Sequence, residues 1–189
     1  MKKNYFYSSD ELKKIGIKCG KNCNVHSSVI ISNKKNLTLG NNVRIDSNCV
    51  FISAGKIKLE NFIHVTPFCY LHSNLGNKII IKSHAGLSSG VKIYTSVDDY
   101  SGKEYYSPFN EKIKKTNSQI TINKYCIVGP NSIVVPGSKI GVGTVVGPFS
   151  YVNKLLDSWS IYSGFPLKKY SNRKKNFLKK VKIIENKKK

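Results

Sequence analysis

Apolar residues recur along this chain at an interval of six. Cys19, Val25, Ile31, Leu39, Ile45, Phe51, Leu59, Val65, Leu71, Ile81, Leu87, Ile93, Ile122, Val128, Val134, Ile140, Val146 and Val152 are all apolar or Cys, and they form six triplets whose starts lie 20, 20, 22, 41 and 18 residues apart. Neither a helix nor an alternating strand has that period. Three short strands per triplet, each sending one branched side chain to a common axis, make a triangular coil, and coils pairing backbone to backbone make a solenoid. Small residues suit the position four places after the apolar one, which holds Cys23, Cys49, Cys69 and Cys126 alongside Val29, Val43, Gly55, Ile63, Ala85, Val91, Ser132, Ser138, Thr144 and Ser150. Gly20, Gly40, Gly129, Gly141 and Gly147 follow the apolar position directly. "SSDELKKIG" reads as a capped short helix over the first coil. The repeat is expected to end after Val152, with a loop at "SWSIYSGFP" and a basic C-terminal helix. The divisions are then an N-terminal cap over 1–18, the solenoid over 19–157 with an extended loop at 94–119, and an exit loop and basic tail over 158–189.

Composition adds little to this fold and narrows the function. A chain of 189 residues with 40% hydrophobic content makes one domain with a core. It has no apolar run long enough to span a membrane and no apolar signal core, so a soluble, cytoplasmic protein is expected. The net charge of +22 suggests nucleic acid or an anionic surface, but the last 22 residues carry eleven Lys and Arg against Glu185 alone, and only Arg44 and Arg173 are arginines. Arginine is the better bidentate reader of phosphates and bases, so the reading is solvated lysine and no nucleic acid. Five cysteines without a CxxC spacing argue against a disulfide framework or a metal site. All five fall on inward positions and are expected to be unpaired core residues.

The 41-residue interval marks where chemistry is expected. About twenty residues leave the solenoid there, in "IYTSVDDYSGKEYYSP", and long loops on rigid scaffolds usually carry function. The loop offers Asp98, Asp99 and Tyr100, then Gly102, Glu104, Tyr105 and Tyr106. Asp-Asp-Tyr-Ser-Gly is also good turn chemistry, so a ligand site and a simple bend both remain open. Among the histidines, His64 stands beside a corner five places after Leu59, and His84 stands three places after Ile81 in the coil before the loop. His26 and His72, one place after Val25 and Leu71, read as solvated.

The hexapeptide pattern, its break between Ile93 and Ile122, the run "YCIVGPNSIVVPGSKIGVGTVVGPFSYVNK" and the exit "IYSGFPLKK" resemble the left-handed parallel β-helix acyltransferases, and within them the compact acetyl-CoA-dependent sugar acetyltransferases. The resemblance covers residues 4 to 175 and implies an all-β, left-handed parallel β-helix, with active sites between the subunits of a homotrimer. It also implies a coenzyme A co-substrate lying along the later coils, with Gly129, Ser132 and Gly147 leaving room for the pantetheine arm and Lys168, Lys169 and Arg173 meeting its phosphates. Phe165 departs from the usual Asn or Val of the exit motif. "NFIHVTPFC" resembles the run that places a histidine near the acetyl group in amino-sugar N-acetyltransferases, which implies His64 as the first catalytic candidate with His84, in the coil before the loop, as the second, while Ala54 and Gly55 stand where some relatives carry a further histidine. The loop lacks the histidine of the galactoside and antibiotic branch and offers "DDYSG" in its place.

An amine on such a sugar is partly free base at neutral pH and needs orientation more than deprotonation, whereas a hydroxyl needs a positioned base. Carboxylates in place of a loop histidine therefore favour N-acetylation. The expected acceptor is a nucleotide-linked amino-dideoxyhexose, such as a dTDP-3-amino-3,6-dideoxyhexose, in surface glycan or lipopolysaccharide assembly. Asp98 and Asp99 would hold the amine, and Tyr100 and Tyr105 would pack on the sugar or its base. The alternatives are a galactoside-type O-acetyltransferase and a non-catalytic basic β-helix that binds polyanions.

Overall fold

The hexapeptide residues meet at a common axis. A computed structural model describes residues 5–103, 105 and 115–187, and in it sixteen of the eighteen periodic residues are buried, with Cys19 and Ile31 partly so at the first coil. Three parallel sheets make the faces of the prism. The first face stacks Lys18–Cys19, Leu37–Leu39, Lys56–Leu59, Lys78–Ile81, Ile120–Ile122, Lys139–Ile140 and Leu155–Leu156. The second stacks Asn24–His26, Val43–Ile45, Ile63–Val65, Gly86–Leu87, Ile127–Val128, Val145–Val146 and Ser160–Ser163. The third stacks Ile30–Ile31, Val50–Ser53, Tyr70–Ser73, Lys92–Tyr94, Ile133–Val134 and Tyr151–Val152. Register keeps like over like, as where Leu39 sits on Leu59 and Leu59 on Ile81. Strands of two to four residues suffice because each needs only one buried side chain and the pairing continues from coil to coil.

The glycines after the apolar positions are required by this stacking. A Cβ on Gly20, Gly40, Gly129 or Gly141 would lie 2.9 Å or less from backbone atoms of the next coil, and on Gly147 it would strike Ser163 at 2.6 Å. The small corner residues do more than fit. Cys23 Sγ donates to the Gly40 carbonyl at 3.0 Å, Cys49 to Thr66 at 3.2 Å, Cys69 to Ser88 at 3.2 Å and Cys126 to Gly141 at 2.9 Å. Ser132 and Ser138 donate in the same way to Gly147 and Val152, at 2.9 and 2.8 Å. Cys, Ser and Thr interchange here because each is a small donor for a turn carbonyl one coil away. All five cysteines are free, and burial pushes the Cys126 thiol up to about 11. Because the thiolate is the reactive form, thiol titration of the native protein is expected to be slow and to reach five equivalents only on denaturation. A native disulfide would contradict this register.

At the N-terminus, helix α1, Ser9–Lys14, forms where the capping pattern predicts it. The Ser8 side chain accepts from the Glu11 N–H while Glu11 bonds the Ser8 N–H at 2.7 Å, and Leu12 is fully buried against the first coil. At the other end the sequence expectation is corrected. The repeat does not stop at Val152, because Leu155–Leu156 pairs with Lys139–Ile140 and Ser160–Ser163 with Val145–Val146, burying Leu156 and Tyr162 in a seventh coil. Lys168–Asn172 then folds back antiparallel on Ser160–Ser163, which confines the C-terminal helix, α2, to Leu178–Lys187.

The corner between the first and second faces needs a left-handed residue in every coil. It uses Asn22 and Asn42, then Phe62, His84 and Tyr125, then Gly143 and Trp159. Left-handed backbone is costly for bulky residues, and here the rings offset it by stacking. Phe62 lies 4.7 Å from His84 at 6°, His84 5.4 Å from Tyr125 at 25°, and Tyr125 6.3 Å from Trp159 at 28°. Helix α2 lies along this corner, with Phe177 against Tyr125 and Trp159 and Glu185 on His84.

Candidate active site

The interrupting loop leaves the third face after Tyr94 and starts as a hairpin. Ser96–Asp98 pairs antiparallel with Lys115–Asn117, placing Asp98 opposite Lys115, whose Nζ is 3.7 Å from Asp98 Oδ1. Between the hairpin and the third face lies a cleft of about 480 Å³ lined by His72, Tyr94, Asp98, Tyr100, Lys115 and Tyr151 among others. The Asp98 side chain is a quarter exposed and Lys115 half exposed. Asp98 and Tyr100 therefore both line this cleft. The Asp99 Oδ1 accepts from the Ser101 N–H at 2.9 Å, a bond of the kind that shapes a bend. Tyr105 is 79% exposed, and Glu104 and Tyr106 lie outside the described residues.

His72 is a correction. It is not simply solvated, for it lines the cleft edge-on to Tyr94 at 6.3 Å and to Tyr70 at 6.4 Å. Burial, and then the charge of Lys115, push its pKa down. The shift favours the neutral form of an imidazole that lines the same cleft as Asp98. The clue lay in its spacing, because the outward place one coil below the start of the loop must look up at it.

His64 stands on the second face. Its Nε2 is 2.7 Å from Asp46 Oδ2, and Asp46 also accepts from Arg44 Nε at 2.7 Å. Burial alone would raise the Asp46 carboxyl, but the bonds from His64 and then Arg44 outweigh it and hold the group below the usual carboxylate range. The result is a half-exposed imidazole anchored by a partly buried carboxylate, the arrangement that fixes one ring nitrogen and leaves the other to face outward. Sequence reading missed Asp46 because eighteen residues separate it from His64, yet it sits one coil below on the same face. Beside His64, in register, is Gly86, followed by Ile127. Unlike the stacking glycines, Gly86 has open space, since an added Cβ would meet nothing nearer than the His64 carbonyl at 3.9 Å. The coil does not demand glycine there, so the missing side chain leaves a slot on the outer surface next to the imidazole.

Other sequence candidates take structural places. His84 is a rung of the corner stack, with Nε2 2.8 Å from Glu185 and a side chain only 13% exposed. The Ser132 hydroxyl points into the solenoid and is fully buried, so it does not lie on a surface that a donor could follow. Gly129 and Gly147 are explained by stacking alone. Arg173 donates from one nitrogen to the carbonyls of Tyr125 and Gly143, at 2.5 and 3.0 Å, and lies over Phe177. Lys168 is exposed on the last strand, and Lys169 is 3.4 Å from Asp157. Among the described residues no group of three or more His, Cys, Asp or Glu side chains could hold a metal ion, and no helix is long and apolar enough to cross a membrane. His64 is on the second face, Asp98 is on the hairpin that leaves the third, and His64 is not among the described residues that line the Asp98 cleft.

No protein-family model matches the chain. It is 31% identical over 172 residues to the dTDP-4-amino-4,6-dideoxy-D-glucose acyltransferase of Escherichia coli, covering 89% of this chain and 88% of that one. It superposes with a TM-score of 0.90 and 31% identity on a mutant of AntD, an N-acyltransferase from Bacillus cereus, in complex with dTDP-4-amino-4,6-dideoxyglucose and coenzyme A, over 98% of this chain and 99% of that chain. A second AntD structure, in complex with dTDP and 3-hydroxybutyryl-CoA, agrees at a TM-score of 0.90 and 32% identity, over 98% and 100% of the two chains. With that identity over nearly the whole of both chains, this chain is an acyltransferase and belongs to the dTDP-4-amino-4,6-dideoxyglucose acyltransferase family of left-handed β-helix enzymes.

Proposed function

We propose that this enzyme transfers an acetyl group from acetyl-CoA to the amine of dTDP-4-amino-4,6-dideoxyglucose, in the assembly of a surface glycan. The observation that carries the reading is the Asp98 carboxylate in an aromatic-lined cleft, in a chain whose relatives act on or hold that sugar nucleotide. An amine flanked by electron-withdrawing carbons resembles an α-amino group, so roughly a tenth is free base at neutral pH. Asp98 accepts hydrogen bonds from that amine and aims its lone pair, while Tyr100 and Tyr105 pack on the sugar or the thymine. The thioester supplies an electrophilic carbonyl whose C–S bond breaks as the C–N bond forms. His64, anchored by Asp46, takes the proton released from nitrogen. Because His64 and Asp98 sit on different faces, we place the reaction between neighbouring subunits of a homotrimer, with Asp98 of one chain reaching His64 of the next. Five free thiols among the described residues suit a reducing compartment, the cytoplasm.

A release assay for the free thiol of coenzyme A tests the proposal. Turnover is expected with the 4-amino sugar nucleotide and acetyl-CoA, and loss of it when a hydroxyl replaces the amine. Preference for the 3-amino isomer would move the substrate, preference for 3-hydroxybutyryl-CoA would move the donor, and turnover of the hydroxyl sugar alone would make the enzyme an O-acetyltransferase that uses His64 as its base. Gly86 offers a separate check on the donor. Gly86→Val should fold, since its site is open, and should raise the KM for acetyl-CoA by about tenfold, as one or two misplaced methyl groups do. An unchanged KM would remove the donor from the His64 face.

A further inference from the structure

We infer that the first face of the prism and helix α2 form one docking surface for an anionic lipid bilayer. The outward positions of that face carry Lys18, Lys56, Lys58, Lys78 and Lys139, all exposed. Lys56 and Lys78 stand directly in register on adjacent coils, where like charges oppose stability. Among the described residues none of the five has a carboxylate partner. Thr38, Ile80 and Thr121 stand between these lysines in the register, so the uncompensated charge is spread along the face and is satisfied by an extended array of anions rather than by one small one. The other two faces differ, since one carries the His64 site and the other the tyrosine-rich cleft.

Helix α2 continues the same surface. The Phe177 ring contacts and the Glu185 bond to His84 hold it along the corner that borders the first face. Those anchors leave Lys179, Lys180 and Lys182 exposed, and with them Ile183 at 55% and Ile184 at 49%. Leu155, which follows Lys139 in the row, is 71% exposed. Isoleucines set among lysines on an exposed helix are the pattern of a segment that rests in the interface of a bilayer, with the apolar side chains below the headgroups and the ammonium groups among their phosphates. Nucleic acid would use the charge but gain nothing from the isoleucines, and the near absence of arginine removes its best ligand. The surface would hold the enzyme at a membrane while both reaction faces stay open.

Full-length protein should co-sediment with vesicles of phosphatidylcholine mixed equally with phosphatidylglycerol and stay in solution with phosphatidylcholine alone. Neutralising the row by Lys56→Gln, Lys58→Gln and Lys78→Gln together should weaken vesicle binding about a hundredfold, near fivefold for each lysine. Ile183→Asn with Ile184→Asn should weaken it about tenfold. Thiol release should be unchanged in both variants, which shows that each is folded. Equal binding to both vesicle types, or parental binding by both variants, would overturn the inference. So would full displacement of the vesicles by duplex DNA at equal phosphate concentration, which would make the partner a nucleic acid.

Discussion

Asp98→Asn is expected to lower turnover with the amino sugar nucleotide about a hundredfold at saturating acetyl-CoA, while coenzyme binding and oligomer mass stay unchanged. The carboxylate is held in place by backbone, because the hairpin register fixes its Cα opposite Lys115 and the cleft wall leaves its side chain a quarter exposed. Asparagine keeps the size and loses the charge, so it still accepts one hydrogen bond but no longer attracts or aims an amine that is mostly ammonium. Misorientation of that kind commonly costs about two orders of magnitude. Asp99→Asn is the matched control. Its Oδ1 caps the bend by accepting from Ser101, and an asparagine oxygen accepts in the same way, so its turnover should stay within about threefold of the parent. Near-normal turnover in Asp98→Asn would reduce the loop to a turn. Equal losses in both variants would mean that the bend, not the carboxylate, is what matters.

The solenoid was legible because its rule is local. Each coil needs one branched residue per face and one small donor per corner, and both recur at a spacing that survives the loop. The end of the repeat was harder to see, because Leu156 and Tyr162 take the places that Ile140 and Val146 hold in the coil below but are followed by a chain that turns back on itself. The tail read as one long helix for the same reason: Lys168–Asn172 is a strand only because Ser160–Ser163 offers it an edge. At the site, the sequence supplied Asp98, Tyr100 and His64 but neither Asp46 nor His72. Contacts between coils join residues about twenty positions apart, a distance at which two polar residues look unrelated until the coil length is applied. Glycines showed the opposite problem, since one residue type serves both stacking at Gly129 and open surface at Gly86, and only the space around each tells them apart.

The anchored imidazole gives the other large effect. His64→Ala should lower turnover by about a hundredfold, the low end of what a positioned base contributes, because an acceptor that supplies part of its own free amine depends on the base only for the proton released after attack. His84→Ala should keep turnover, since its nitrogen is taken up by Glu185 under helix α2, and should show its effect in thermal stability. Asp46→Asn separates positioning from bulk. It leaves a partner for His64 and for Arg44 but removes the charge that both share, so turnover should fall by less than in His64→Ala and the pH dependence of the rate should shift, which a merely structural aspartate would not cause. The Asp46 carboxyl is lowered in the folded protein, so its contribution to stability is present above the ordinary aspartate range and disappears as pH falls through its own lower value. Asp46→Asn should therefore lower the melting temperature at neutral pH and narrow the gap to the parent only in strong acid. If His64→Ala turns over normally while His84→Ala is dead, the base lies one coil later, and helix α2 must lift to expose it.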